Sequence, residues 1–83
     1  MTILYFSSVR ERLGIAGECI DLPDTVSTLG ELVEWLRLRS ARHELALDEG
    51  LRVRAAVDQV HASPEAPVRS AREIAFFPMM TGG

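Results

Sequence analysis

The 83-residue sequence contains no lysine; all nine of its basic residues are arginine. That absence excludes a Schiff-base nucleophile and a phosphate-loop lysine. It also leaves no side-chain amine to accept an isopeptide bond. Cysteine is nearly absent too. Cys19 alone can form neither an intrachain disulfide nor a cysteine-based metal cluster, and His43 and His61 do not make a zinc site by themselves. No metal is therefore expected. No stretch approaches the roughly 20 apolar residues of a membrane span, and Met1–Phe6 lacks the basic start of a signal peptide. A cytoplasmic, reducing setting follows as the expectation. The net charge of −3 argues against a general nucleic-acid binder. What is present is ordinary globular composition, 47% hydrophobic and 25% charged, in a length that permits one domain. Such a chain can build a thin two-layer core and has little material for a deep, private active site.

The run from Ile3 towards Val9 opens as a strand, and Val9–Leu13 has short helical character stopped by Gly14 and Gly17. Glu18–Leu22 alternates, with Ile20 and Leu22 on one face, and predicts a half-buried strand antiparallel to the first. The clearest element is a helix from about Thr28 to Ser40. Thr28 and Glu31 have capping-box spacing, and Leu29, Leu32, Val33 and Leu36 form an apolar stripe that Trp35 and Leu38 widen. Arg37, Arg39 and Arg42 at its far end complement the helix dipole. Residues 46–50 read as a loop and Arg52–Val57 as a third strand. After a turn at Asp58-Gln59, Val60-His61 adds a short fourth, residues 62–71 form a surface connection, and Glu73–Pro78 is the last strand. The order is β-β-α-β-β-β, a two-layer sandwich of one sheet and one main helix. The first and last strands are the most apolar and are expected side by side at its centre.

No catalytic constellation stands out. The serines have no nucleophile-elbow context, and both histidines lie far in sequence from a matching nucleophile. His61 reads as a solvent-facing or strand-edge residue. Cys19 has no basic neighbour to activate it and reads as a small half-buried hydrophobe. The informative segment is the end, Phe76-Phe77-Pro78-Met79-Met80-Thr81-Gly82-Gly83. Two terminal glycines arise by chance in roughly 0.5% of chains, so a frayed terminus is a weak account. Pro78 stops the strand, and the five residues after it reach at most about 16–18 Å. A tail ending in two residues without side chains can thread a narrow channel and present only a carboxylate. A carboxylate is a poor electrophile until activated, for example as an acyl adenylate. No nucleotide-binding motif exists here to do that, so a partner would have to.

The sequence resembles the MoaD family of ubiquitin-like β-grasp sulfur carriers, the small subunits of molybdopterin synthase. The resemblance spans the whole chain. It rests on Phe6 with Val9-Arg10-Glu11, Thr28-Leu29-Gly30-Glu31-Leu32, Ala55-Ala56-Val57-Asp58-Gln59, and above all the Phe76-Phe77-Pro78 to Thr81-Gly82-Gly83 ending. It implies an α+β β-grasp fold: residues 1–78 form a mixed sheet of about five strands on one main helix, and residues 79–83 form a flexible tail. It implies a carrier that is not an enzyme on its own and binds no cofactor. An adenylating MoeB-like enzyme would use ATP to activate Gly83, which becomes a thiocarboxylate. The tail would then insert into a MoaE-like large subunit and donate sulfur to precursor Z, cyclic pyranopterin monophosphate, in a heterotetramer. Gly82 would supply clearance, with Met79, Met80 and Thr81 lining the channel mouth. Phe6, His61 and Phe77 occupy the positions of the docking patch, although plain core packing suits the two phenylalanines equally well. Three positions depart from the family pattern: Met79 replaces a common proline, Asp58 a common asparagine, and His61 an apolar residue. A carrier for a thiamin-type pathway, or a non-covalent ubiquitin-like module with an inert tail, are the alternatives.

Overall fold

The computed structural model describes residues 1–48 and 52–79. Among the described residues, five strands and three helices follow in the order β1 (Thr2–Tyr5), α1 (Ser7–Leu13), β2 (Gly17–Cys19), α2 (Leu29–Arg37), α3 (Ala41–Ala46), β3 (Val53–Val57), β4 (Val60–His61) and β5 (Glu73–Pro78). They form one mixed sheet of order β2-β1-β5-β3-β4, with the helices on one face. The architecture is the expected α+β β-grasp. β1 and β5 lie parallel at its centre, pairing Ile3 with Ile74 and Tyr5 with Phe76. β2 is antiparallel to β1, as its sequence predicted.

The core follows from alternation. Ile3, Tyr5, Ile74 and Phe76 point towards the helices and are at most 1% exposed, and they meet Val9, Leu32 and Leu36. The Tyr5 and Phe76 rings stack with centroids 6.0 Å apart. Burial of these side chains, each worth roughly 1.5–3 kcal/mol, is the main force joining the layers. α2 begins as its sequence says. The Thr28 hydroxyl accepts from the Glu31 N–H, and the Glu31 carboxylate accepts from the backbone N–H groups of Ser27 and Thr28. Those two bonds hold the Glu31 carboxyl below its ordinary pKa. Close approach at Gly30, whose N–H donates to Pro64 O at 2.9 Å, ties this helix start to the 62–71 connection. A Cβ there would sit 3.3 Å from the same oxygen.

Several expectations need correction. α1 is a full helix that starts at Ser7, so the first strand is shorter than the apolar run suggests. It stops at Gly14, whose φ of +90° is a left-handed cap. α2 ends at Arg37, which leaves Leu38 outside the stripe and 85% exposed. Ser40 does not end that helix; it caps a new one, α3, accepting from the His43 N–H. Arg37 and Arg39 do more than face the dipole. Arg37 pairs with Glu34, and Arg39 pairs with Glu18 while lying 5.0 Å over the Trp35 ring. Cys19 is exposed, because it shares the outer face with Thr2, its partner on β1. The 62–71 connection contributes to the core through fully buried Val68.

The β3–β4 hairpin explains the acid at position 58. Asp58 and Gln59 both have positive φ, 46° and 71°, the backbone of a two-residue hairpin turn. From there Asp58 Oδ1 accepts from the N–H groups of Arg72 and Glu73 at 3.0 and 2.9 Å, clipping the start of β5 to the hairpin. The position needs an acceptor, which aspartate and asparagine both have. Asp58→Ala is expected to lower stability by about 1–2 kcal/mol, with Asp58→Asn retaining most of it, as urea titration will read. Among the described residues no helix is long and apolar enough to cross a membrane.

Candidate functional site

The outer face of the sheet carries the residues that the sequence singled out. Strand parity puts Leu4, Ala75, Phe77, Arg54 and Ala56 opposite the core. Phe77 is half-buried there, while its neighbour Phe76 fills the core, so the paired phenylalanines divide between the two faces. Phe6 continues β1 for one residue beyond Tyr5, donating its N–H to Phe76 O at 3.0 Å, and is 46% exposed. Neither Phe6 nor Phe77 belongs to the core cluster. His61, exposed on edge strand β4, lies edge-on to Phe77 with ring centroids 5.3 Å apart. The structure thus brings His61 and Phe77 into contact and sets Phe6 on the adjoining strand.

This patch lies at the end of the sheet from which the chain leaves. Met79 N–H donates to Arg52 O at 3.1 Å, extending the β3–β5 ladder one residue past Pro78. Two clefts flank this root. One, of about 300 Å³, is lined by Arg54, His61, Phe77, Pro78 and Met79. The other, of about 540 Å³, opens between α2 and β3, and shares Arg54, His61 and Met79. Met80, Thr81, Gly82 and Gly83 lie outside the described residues.

A second polar cluster, on the helix side, escaped the sequence reading. Glu18 Oε2 accepts from the Tyr5 hydroxyl and bonds His43 Nε2, both at 2.7 Å, and Ser40 Oγ bonds His43 Nδ1 at 2.7 Å. Because a carboxylate only accepts, Nε2 carries the hydrogen. Serine, histidine and carboxylate in line resemble an acyl-transfer triad. Here, however, the Ser40 oxygen also accepts from the His43 backbone N–H as the α3 cap, and His43 is buried. The cluster is a clamp joining β1, β2 and α3. Burial raises the Tyr5 phenol far above its ordinary pKa, and the bond to Glu18 and its charge add to this. Burial also works to raise Glu18, but hydrogen bonds from His43 and Tyr5 and the charges of His43 and Arg39 outweigh it, leaving the carboxyl below its ordinary 4.5. The unfolded chain therefore takes up this proton first. Stability present above pH 4.5 is lost as pH falls through the folded value. Glu18→Gln is expected to cost about 1.5–3 kcal/mol at neutral pH and to flatten the decline below pH 4.5 in urea titrations. Among the described residues, no group of three or more His, Cys, Asp or Glu side chains could hold a metal ion.

Known proteins resemble this chain over its full length. The molybdopterin synthase sulfur carrier subunit of Haemophilus influenzae is 34% identical over 83 residues, covering 100% of this chain and 99% of that protein. The subunit of the same name from Escherichia coli is 35% identical over 81 residues, covering 98% and 96%. The crystal structure of SAMP1 from Haloferax volcanii superposes with a TM-score of 0.74 at 21% identity, covering 100% of this chain and 98% of that one, a likeness of fold. Residues 3–83 match the ThiS family. By that match and by full-length similarity to two sulfur carrier subunits, the chain belongs to the ThiS family, among its MoaD-like members.

Proposed function

We propose that the chain is the sulfur carrier subunit of a molybdopterin synthase. The observation that carries this reading is full-length similarity to two such subunits. The aromatic patch at the root of the tail supports it. In this reading Gly83 is the reactive residue. Its carboxylate oxygen attacks the α-phosphorus of ATP on an adenylating MoeB-like enzyme, and pyrophosphate leaves. Sulfur delivered at the oxidation level of hydrosulfide then attacks the acyl carbon and AMP leaves, which yields the thiocarboxylate directly. Phe6, His61 and Phe77 dock on a MoaE-like large subunit, while Met79, Met80, Thr81 and Gly82 pass through its channel. Sulfur then reaches precursor Z inside a cytoplasmic heterotetramer of two small and two large subunits. The chain itself binds no cofactor, and ATP is used by the activating enzyme. Residues 1–78 act as the folded handle and 79–83 as the tail.

Intact-mass spectrometry tests this. After incubation with the activating enzyme, ATP and a sulfur donor, a sulfur-for-oxygen mass gain is expected on the C-terminal peptide; an unchanged mass refutes the carrier reading and leaves an inert module. The family match also admits a carrier for thiamin synthesis. Rescue of a molybdenum-cofactor auxotroph, and not of a thiamin auxotroph, separates the two.

A further inference from the structure

We propose that Arg54 selects the partner by charge: the surface that covers Phe77 presents a carboxylate to this guanidinium. The inference rests on the docking reading of the outer face. Arg54 is exposed and pairs with Phe77 across the β3–β5 ladder, so both side chains leave the same face. With His61 and Phe77 it lines the 300 Å³ cleft at the tail's root. That cleft has an aromatic wall, and a cation stands beside it. Among the described residues no carboxylate lies within ion-pair distance of Arg54. Glu73, the acid on β5, lies four residues from Phe77, about 13 Å along the strand. That exceeds the screening length of about 8 Å at physiological salt. Glu34 lines the adjoining cleft but is paired with Arg37, so Arg54 stands at the tail's root with no carboxylate paired to it, on a chain whose net charge is −3.

A partner that covers Phe77 also takes water from Arg54. An unpaired guanidinium buried in an interface is costly, whereas a carboxylate meets it with two parallel N–H···O bonds. The acid also has a steering role, because a complementary charge beside an apolar anchor acts mainly on the association rate.

The test measures binding to the purified large subunit of the synthase at low and at physiological salt. The variants are Arg54→Glu, Arg54→Gln and Phe77→Ala. Arg54→Glu is expected to weaken binding by at least about tenfold at low salt, chiefly through slower association, and to flatten the salt dependence. Arg54→Gln should give a smaller loss in the same direction. Melting temperatures of both should match the parent, since the side chain is exposed. Parental affinity and salt dependence in Arg54→Glu, with binding lost in Phe77→Ala, overturn the charge inference alone. Parental binding in Phe77→Ala overturns the docking reading beneath it. The full-length chain with its terminal carboxylate converted to an amide supplies the last arm. If the Arg54→Glu penalty disappears in that amidated chain, Arg54 was holding the chain's own terminal carboxylate, and the proposal falls.

Discussion

Adding one alanine after Gly83 is expected to reduce thiocarboxylate formation by at least about 100-fold while leaving the melting temperature unchanged. The added residue moves the carboxylate by about 3.3–3.6 Å, and it converts the Gly83 acyl carbon into an unreactive amide. Displacements of even 1 Å can cost this much in an oriented reaction. The core is expected to be unaffected, because among the described residues the buried ones nearest the end are Ile74 and Phe76 on β5, before Pro78. Mass spectrometry of the activated product and a thermal melt read the two halves of the prediction. Parental thiocarboxylate yield from the extended chain would break the link between the terminal carboxylate and the chemistry.

The neighbouring phenylalanines give the second large effect, in opposite senses. Phe76 is 1% exposed and stacks on Tyr5, so Phe76→Ala is expected to cost about 3–5 kcal/mol. Total stabilities run about 5–15 kcal/mol, and a domain this small sits towards the low end, so that variant will be close to unfolding. Phe77→Ala opens no hole in the core. It should keep most of the stability yet lose about 2 kcal/mol or more of binding to the large subunit, roughly 30-fold, as a buried aromatic anchor does. Urea titration and a binding isotherm on the same two variants make the comparison. Equal loss of stability in both would mean that the outer face is part of the core.

Local signals were legible in the sequence. The Thr28–Glu31 box, the final strand and the Asp58-Gln59 turn each rest on a few adjacent residues, and each stands where expected. The first and last strands stand side by side at the centre as expected, although their apolarity alone does not settle that pairing. α3 was not, because a six-residue helix with Ala46 and His43 as its buried residues carries no apolar stripe. Alternation from Glu18 to Ile20, the residue after β2, put both inside, but nothing local announced that Tyr5 and His43 would meet Glu18 from 13 and 25 residues away. The candidate site divides in the same way. Phe6, His61, Phe77 and the tail stood out in the resemblance, whereas Arg54 gained meaning only from its register with Phe77.

The parallel union of β1 with β5 has a consequence for the order of events in a cell. Of the described strands, β1 is made before β5 and must wait for it to gain its partner at the sheet's centre. A nascent chain that stops short of Glu73 lacks the strand that pairs with both β1 and β3. Such non-local pairing slows folding and postpones it until β5 has been made. The same final strand leads directly into the tail. If the chain works as proposed, assembly of the handle and delivery of its working end are one event, and a molecule without β5 would offer an activating enzyme neither a folded surface to grip nor a terminus to charge.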